Sequence, residues 1–541
     1  MQTANQHIIN KMFLEVNTSS KQKAYYLKDN LNTFLKEEVF PLLEAYFDML
    51  HDKMPLQSIQ IEKLNIDFSM PADFDFNTLK IEIINQFQKQ IEQQIDKGFP
   101  DTTNYNLVPV KEKNINEFFS FLQTGTTSWS ALSKDILNLN TENQFEKMIS
   151  EKAFGLKLKK ALENRQSRIR FIKQLSDNQI YSILAKTFLF ELNAAEQTTS
   201  ENSNKIKDTI NAVISKSKQG LHQRNLVWDL LISQLLKENE SLIQKKLVDL
   251  FTSFDVIKKY PSTFVLEIIK KQIVNQSVLE ILINLENEVL LIANFLEQKI
   301  SETPQNKGNN LSESNFTKSQ ESFVSNDQKT EEINLVFDTN KEIFNNNNNN
   351  NNNNKDVKTE EILNSDLLLN EEILAETATD YYVNNAGLIL IHPFLKQLFE
   401  NCKLLHKNNT INDPEVAAHL LHYIATAKEQ DYEHEMLFEK FLCNIPANQT
   451  INRNITLSEE LKNHSNEMLQ AVLENWSIIK NSSVALLQNE YLQRPGKIIL
   501  SEDHPKVIVE RKTQDILLDK ITWNLGIVKL AWKNKIIFVD W

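Results

Sequence analysis

Residues 301–380 constrain the fold of this chain most, because they divide it into two parts. Ser, Asn, Gln, Glu and Thr dominate the segment, and Asn345–Asn354 is an unbroken run of ten asparagines. Its sixteen acidic and six basic side chains account for ten of the thirteen net negative charges. Such a composition buries too little apolar surface to offset the entropy lost on ordering. We therefore predict an acidic, Asn-rich disordered linker at 301–380, which by itself leaves the C-terminal domain tethered and not fixed in place.

The remaining sequence favours helices. Of the 541 residues only 8 are glycine and 12 are proline, whereas 41% are hydrophobic. Few helix breakers, together with enough apolar residues for real cores, predict an α+β fold that is predominantly α-helical. A chain of this length is expected to hold more than one domain.

The N-terminal domain, residues 1–110, is predicted to be a small α/β domain. Its expected elements are, in order, a strand at 8–16, a helix at 21–50, a strand at 58–68 and a helix at 77–97. Apolar residues alternate along both strands. Pro41 is expected to kink or divide the first helix. A change in the parity of the apolar residues near Lys63 predicts a bulge in the second strand. Whether the two strands pair in parallel is left open.

The next region, residues 111–300, is predicted to be helical throughout. Helices are expected at 178–193, 226–237, 241–251, 264–274 and 277–300. The last of these carries a continuous apolar stripe. We interpret it as a helix packed inside a bundle, with a coiled-coil surface for a partner as the alternative.

The C-terminal domain, residues 381–541, is predicted to mix helices and strands. The expected helices cover 393–405, 414–427, 433–443 and 458–480, and the expected strands cover 497–500, 506–511, 527–532 and 535–539. The last two strands are separated only by Lys533 and Asn534, which predicts a β-hairpin with a two-residue connection at the end of the domain. The core is expected to be sealed by three tryptophans, Trp523, Trp532 and Trp541.

Four side chains of this domain have the chemistry of metal ligands or nucleophiles: His419, His422, His434 and Cys443. A helix would place His419 and His422 on one face, an arrangement that zinc can use. No second cysteine or close carboxylate pair completes such a site, and the neighbouring residues are typical of a packed helix. A spacing of nine residues puts His434 and Cys443 on roughly opposite faces of a helix, which argues against a nucleophile–base pair. We favour structural roles for all four, with zinc as the alternative, and predict no catalytic or cofactor-binding residues and no cofactor.

The sequence also lacks the motifs of the common enzyme classes. It contains no GxxxxGK[ST] or GxGxxG phosphate loop and no GxSxG, HExxH or CxxC motif. We therefore predict that the chain is not an enzyme, and a catalytic or nucleotide-driven factor is the less favoured alternative.

Charge and cysteine content limit the possible partners and compartments. The net charge of −13 argues against a nucleic-acid partner. Two cysteines, Cys402 and Cys443, are too few for a disulfide scaffold. The sequence suggests no signal peptide and no membrane span. We expect the chain to work in the cytoplasm.

Short segments near both ends of the chain form a recognisable set of motifs. Towards the N-terminus they are residues 7–16 (HIINKMFLEV), 61–67 (IEKLNID) and 121–125 (FLQTG) with Trp129. Thr127 and Ser128 precede that tryptophan where the motif usually has proline. Towards the C-terminus they are residues 385–395 (NAGLILIHPFL), 490–497 (EYLQRPGK), 509–519 (VERKTQDILLD) and 523–530 (WNLGIVKL). In this order they resemble the tape measure protein family of contractile injection systems, the phage-tail-like machines of bacteria. The resemblance covers little of residues 130–380.

The resemblance implies a structural protein that controls the length of the inner tube and sheath during assembly. Its partners would be tube, sheath or baseplate subunits, and it would act in the cytoplasm or be carried inside the particle. The alternative is an assembly chaperone, or a cap on the nascent tube, that scaffolds a particle ATPase. A ruler made of one helix gains ~1.5 Å per residue. Because this chain has globular ends and a coil-like linker, measuring a length would require unfolding, several copies or a partner.

Overall fold

The computed structural model of the chain describes residues 14–127, 142–194, 220–302 and 380–541, except for gaps at 55–56, 62, 72, 97–104, 273–275 and 501–502, together with positions 7, 9, 12, 208–209 and 211–213. Over these residues the fold is mostly helical, with strands near both ends, so the predicted α+β class is confirmed. None of the described helices has the length and apolar character that crossing a membrane requires.

The chain begins its regular structure with two helices that follow each other closely. Helix α1 (Lys21–Phe34) is capped by the Ser20 side chain, which accepts from the backbone N–H of Lys23, and α2 (Phe40–Lys53) follows a π-helical turn at Leu35–Val39. Pro41 lies in the first turn of α2, where a missing N–H costs no helical hydrogen bond. The predicted kink or division at Pro41 takes the form of this π-helical turn, and the backbone stays helical from α1 into α2.

A two-stranded sheet accompanies these helices. Strand β1 (Gln57–Ile61) pairs antiparallel with β2 (Tyr105–Pro109) and sets Ile59 opposite Leu107. Helix α3 (Phe76–Asp96) packs Leu79 and Ile83 against Phe34, Val39 and Leu43 of the first two helices. The predicted helix at 77–97 is therefore confirmed, although its expected end lies outside the described residues.

Two details of the predicted N-terminal strands are wrong. The described positions of the expected strand at 8–16 form no strand, and Met12, Leu14 and Val16 are more than a third exposed. Alternating apolar residues become a strand only where a neighbouring strand offers hydrogen bonds, and among the described residues the strand that pairs with β1 is β2. Strand β1 ends at Ile61, so the bulge near Lys63 does not form, and β2 was not among the predicted elements.

The described residues between β2 and residue 302 form the helical region. Its helices are α4 (Val110–Thr124), α5 (Glu142–Ile149), α6 (Lys152–Glu163), α7 (Arg165–Gln174), α8 (Asp177–Ala194), α9 (Leu221–Leu235), α10 (Glu240–Thr252), α11 (Asp255–Lys258), α12 (Ser262–Gln272), α13 (Val278–Ile283) and α14 (Leu285–Glu302). The single helix expected at 277–300 is divided at Asn284, which lies between α13 and α14. Its apolar stripe is buried at Ile281, Leu285 and Ile292, as predicted for a packed helix.

The C-terminal domain joins five helices to one sheet. The helices are α15 (His392–Asn401), α16 (Pro414–Thr426), α17 (Leu437–Leu442), α18 (Glu459–Asn475) and α19 (Val484–Leu487), with 3-10 helices at Ala386–Ile391 and Thr513–Lys520. The strands are β3 (Tyr381–Val383), β4 (Gly496–Ile499), β5 (Lys506–Val509), β6 (Ile527–Val528) and β7 (Ile537–Asp540), in the order β3-β4-β5-β7-β6. Only β5 and β7 run parallel.

The predicted C-terminal hairpin is confirmed, but its connection is longer than two residues. Strands β6 and β7 pair antiparallel with Val528 opposite Ile537, so residues 529–536 connect them. Trp532 explains the difference, because its ring stacks on Phe399 at 4.7 Å and its Nε1 donates to the carbonyl of Leu442 at 2.7 Å. These contacts hold Trp532 in the core and away from the strand ladder.

Contacts group residues 1–293 and 380–541 into a first compact unit. The second unit spans residues 294–379, of which the structure describes only 294–302. The first unit therefore contains both the helical region and the C-terminal domain. The predicted linker at 301–380 lies outside the described residues apart from 301, 302 and 380. The domain boundaries remain predictions.

Replacing Trp476 by alanine should destabilise the C-terminal domain by about 3–5 kcal/mol, because a large buried ring is lost. Trp476 is fully buried, packs edge-on against Tyr491 at 4.8 Å and donates to the carbonyl of Leu517 at 3.2 Å. Urea unfolding measures the change. Ile516→Ala, at a position 72% exposed, is the control and should change stability by less than about 0.5 kcal/mol. Equal midpoints for Trp476→Ala and the parent chain would show that the core is assigned wrongly.

Candidate functional site

The most heavily charged buried site of the described structure lies where the helical region meets the C-terminal domain. Arg170 of α7 donates from its Nε to Oε1 of Glu433, which precedes α17. Both side chains are almost completely buried, at 1% and 0% exposure. A buried ion pair is stable only when the remaining donors and acceptors of both groups are also satisfied. The stability of this ion pair therefore depends on the groups that surround it.

Arg170 uses its other nitrogens to hold two separate backbone segments. Its Nη1 donates to the carbonyl of Leu122 in the last turn of α4 at 2.6 Å, and its Nη2 donates to the carbonyl of Asn448. One guanidinium thus connects α4, α7 and two segments of the C-terminal domain.

Glu433 is held from the opposite side. Its Oε2 accepts from the backbone N–H of Ile451 at 3.1 Å, and its own N–H donates to Oε1 of Gln174 at 2.8 Å. Gln174 in turn donates to the carbonyl of Ile451 at 2.8 Å. The side chains of Arg170, Gln174, Glu433 and the nearby Lys440 are called the junction below.

The junction holds two buried cations beside one buried carboxylate. Lys440 is fully buried, its Nζ lies 3.7 Å from Oε2 of Glu433, and it donates to the carbonyl of Ala447 at 2.7 Å. Burial lowers the pKa of Lys440, and the neighbouring Glu433 carboxylate opposes that shift. Glu433 is therefore the charge on which the electrostatic balance of the junction depends.

A glycine leaves the space that the ion pair occupies. Gly125 ends α4 with φ of +79°, and a Cβ at this position would lie 2.7 Å from Oε1 of Glu433 and 2.9 Å from Nη2 of Arg170. Gly125 closes the FLQTG motif at 121–125. That motif thus has a structural explanation, because it shapes the wall of the junction. Trp129, which accompanies the motif in the sequence, lies outside the described residues.

Other contacts continue around the junction. Asn225 donates to the side-chain oxygen of Asn452 at 2.9 Å, and Lys173 lies 3.4 Å from Glu415. By contrast, the buried guanidiniums of Arg168 and Arg224 pair with carboxylates of the helical region itself, Asp229 and Asp177 among them. Arg170 is the buried arginine of α7 that crosses to the C-terminal domain.

His419 and His422 lie on α16 and both are buried, but they contact different partners. The two ring nitrogens of His419 each lie 2.8 Å from a carbonyl oxygen, one of Glu429 and one of Asn452, and burial lowers the pKa of the ring. The Nδ1 of His422 lies 2.9 Å from Oε1 of Glu439. That carboxylate also accepts from Asn385 at 2.8 Å.

His434 and Cys443 both lie in packed surroundings. The ring of His434 packs edge-on against Phe121 at 5.3 Å. Cys443 is 1% exposed, and burial raises the pKa of its thiol. Within the described ranges, no three His, Cys, Asp or Glu side chains are arranged to hold a metal ion.

The motifs of the C-terminal domain meet one another at a second point. Ala386 donates its backbone N–H to the carbonyl of Arg494 at 2.8 Å, and the Nη2 of Arg494 donates to Asp515 at 2.8 Å. A Cβ on Gly387 would lie 1.7 Å from the carbonyl oxygen of Tyr491. The segments 385–395, 490–497 and 509–519 therefore interlock through close backbone approach, which assigns them to the architecture of this domain.

A cleft of about 420 Å³ opens beside the junction, between α7 and α9 on one side and the start of α16 on the other. Its walls include Lys173, His222, Asp413 and Glu415. Asp413 caps α16 through the N–H of Val416 at 3.1 Å, and Glu415 accepts from the N–H of Asn452 at 3.0 Å. Both carboxylates thus serve the fold.

Sequence reasoning did not select Arg170, Gln174, Glu433 or Lys440. The available signal was weak: Arg170 stands between the apolar Ile169 and the apolar pair Phe171 and Ile172, in a helix whose other residues are polar. Nothing in the local pattern indicates that its partner lies 263 residues away.

Comparison with known proteins adds one result. A family model described as contractile injection system tape measure protein matches residues 6–541. The match therefore includes both sides of the junction. Neither the search of curated proteins nor the search of solved structures gave a match.

We expect two substitutions in the junction to destabilise the chain by different amounts. Glu433→Gln keeps the shape but leaves Arg170 and Lys440 buried without an anion, so we expect a loss of about 3–5 kcal/mol in unfolding free energy. Lys440→Met leaves the Arg170–Glu433 pair neutral overall but removes the hydrogen bond to Ala447 and the 3.7 Å contact with Glu433, which should cost about 1–2 kcal/mol. Urea unfolding of the full chain measures both. A larger loss for Lys440→Met than for Glu433→Gln would contradict the proposed charge balance.

Gly125→Ala should destabilise the chain by about 2–4 kcal/mol, since the new Cβ meets the ion pair and the backbone adopts a left-handed conformation. The matched control is Gly155→Ala within α6, where the Cβ would meet only Thr187, at 3.5 Å. That change should be neutral or stabilise by about 0.5–1 kcal/mol, because alanine favours a helix interior. If both variants unfold alike, Gly125 does not make room for the junction.

Proposed function

Because the chain belongs to the contractile injection system tape measure protein family, we propose that it is the assembly protein that controls the length of the tube and sheath of such a particle. The observation that carries this proposal is the extent of the match, which spans residues 6–541 and so includes the N-terminal domain, the helical region and the C-terminal domain. The motifs at both ends of the chain support the same assignment.

The junction suggests how the protein works. One buried guanidinium connects α4, α7 and two segments of the C-terminal domain, so these parts are held in a defined arrangement. A surface of fixed shape is what binding to repeated subunits requires. We propose that the protein acts by presenting folded surfaces to tube, sheath or baseplate subunits, and that it makes or breaks no covalent bond.

The described part of the chain contains no long helical ruler. The longest of its described helices, α3, has 21 residues, which corresponds to roughly 32 Å at the rise of an α-helix. Length control through this part therefore depends on contacts with subunits, on several copies or on a partner.

We propose that the protein acts in the cytoplasm, where the particle would be assembled. A particle ATPase as a further partner remains a proposal. No contact of the described residues favours the alternative role of a chaperone or tube cap.

Deleting the gene should leave sheath and tube proteins produced, while particles are absent or scattered in length. Electron microscopy of purified particles measures the length distribution, and immunoblots measure the subunits. The physical reason is that without a controlling protein no contact defines where polymerisation of identical subunits ends. Uniform particles of normal length in the deletion strain would refute the proposed function.

Complementation supplies the matched controls. The parent gene and Lys440→Met should restore particles of uniform length, whereas Glu433→Gln should not, because its junction is destabilised. Immunoblots of the soluble fraction show whether each variant is present as folded protein.

A further inference from the structure

One face of α6 carries exposed cations that have no acidic partner among the described residues. Lys152, Lys157 and Lys160 are all exposed. Lys157 donates to the amide oxygen of Asn116, which leaves its charge uncompensated. Among the residues that the structure describes, none forms an ion pair with Lys152 or Lys160. These three lysines and the intervening Leu156 are called the basic face below.

The positive charges of these lysines do not stabilise α6. Lys152 is the first residue of the helix, and the first turn contains no acidic residue. A cation at this end is disfavoured by the helix dipole. Lys157 and Lys160 are three residues apart, so their like charges repel each other.

A second element adds positive charge near α6. Lys237 follows α9, and burial together with the charge of Lys237 lowers the pKa of Lys159 in α6. Several lysines thus lie on or near α6, although the chain as a whole carries a net charge of −13.

Leu156 lies between the lysines and is 63% exposed. Residues four apart on a helix form one ridge, so Lys152, Leu156 and Lys160 follow each other along the surface. The ridge thus offers an apolar contact flanked by two cations.

We propose that the basic face binds an acidic segment of another protein and that an apolar side chain of this segment covers Leu156. Charge complementarity identifies the occupant, because carboxylates would pair with the lysine ammonium groups. A nucleic-acid backbone would use the lysines but leave Leu156 in water, and therefore a protein segment fits better. The proposal rests on the proposed function, in which this partner is a tube, sheath or baseplate subunit.

The test places a photo-crosslinking amino acid at position 156 of the full chain, in cells that assemble the particle. We expect a crosslink to a tube, sheath or baseplate subunit, at a segment whose residues are net acidic, mapped by mass spectrometry. The double substitution Lys152→Glu and Lys160→Glu should lower the yield about fivefold or more, since attraction becomes repulsion.

The matched control places the same crosslinker at Leu290 of α14, which is 59% exposed. Its neighbours four residues away are Glu286 and Asn294, so it offers similar apolar exposure without lysines. No crosslink to the same acidic segment is expected from this position. A thermal unfolding curve of each variant shows that the substitutions leave the fold intact.

The possible results of the crosslinking experiment test the basic face and the proposed function separately. A crosslink to an acidic segment of a protein outside the particle would support the surface and contradict the proposed function. A crosslink to a particle subunit at a neutral or basic segment, a crosslink to nucleic acid, an unchanged yield after charge reversal, or no crosslink above the Leu290 control would each overturn the assignment of the basic face.

Discussion

The contact between Arg170 and Glu433 is the constraint on which the arrangement of this molecule depends. Removing two charges from water is unfavourable unless every donor and acceptor finds a partner. Arg170 meets this condition by reaching the carbonyls of Leu122 and Asn448, and Glu433 meets it through the N–H of Ile451. The end of α4 and two segments of the C-terminal domain must therefore all be in place at once. A few atoms thus couple regions that are far apart in the sequence.

Much of the secondary structure followed from local patterns, because helices obey a short-range period. The expected helix at 77–97 is observed at 76–96, and a π-helical turn precedes Pro41. The wrong predictions concern segments whose structure is set by contacts between residues far apart in the sequence. The alternation at 8–16 makes no strand over its described positions, because alternation alone does not supply a pairing partner, and β1 pairs with β2. The connection of the last hairpin is lengthened because Trp532 packs on Phe399.

The candidate site was less predictable than the fold. Motifs at 121–125 and 385–395 identified the family, but they did not show that Gly125 faces the ion pair or that Gly387 faces the backbone of Tyr491. Such contacts are set by three-dimensional packing, and no periodicity encodes them. His419 and His422 attracted interest through their spacing, yet their ring nitrogens contact carbonyl oxygens of the backbone and a carboxylate. The type and spacing of these histidines therefore suggested a metal site, whereas their contacts in the structure serve the packing of the domain.

The separation of 263 residues between Arg170 and Glu433 has a consequence for synthesis. At ordinary rates of translation the anion leaves the ribosome roughly 13–50 s after the cation. During that interval α7 has no carboxylate from residue 433, and its guanidinium must stay hydrated. The nascent helical region consequently waits in an unfinished state until the C-terminal domain emerges. Proteins truncated before residue 433 would keep this region open, which gives cellular quality control a way to recognise incomplete chains.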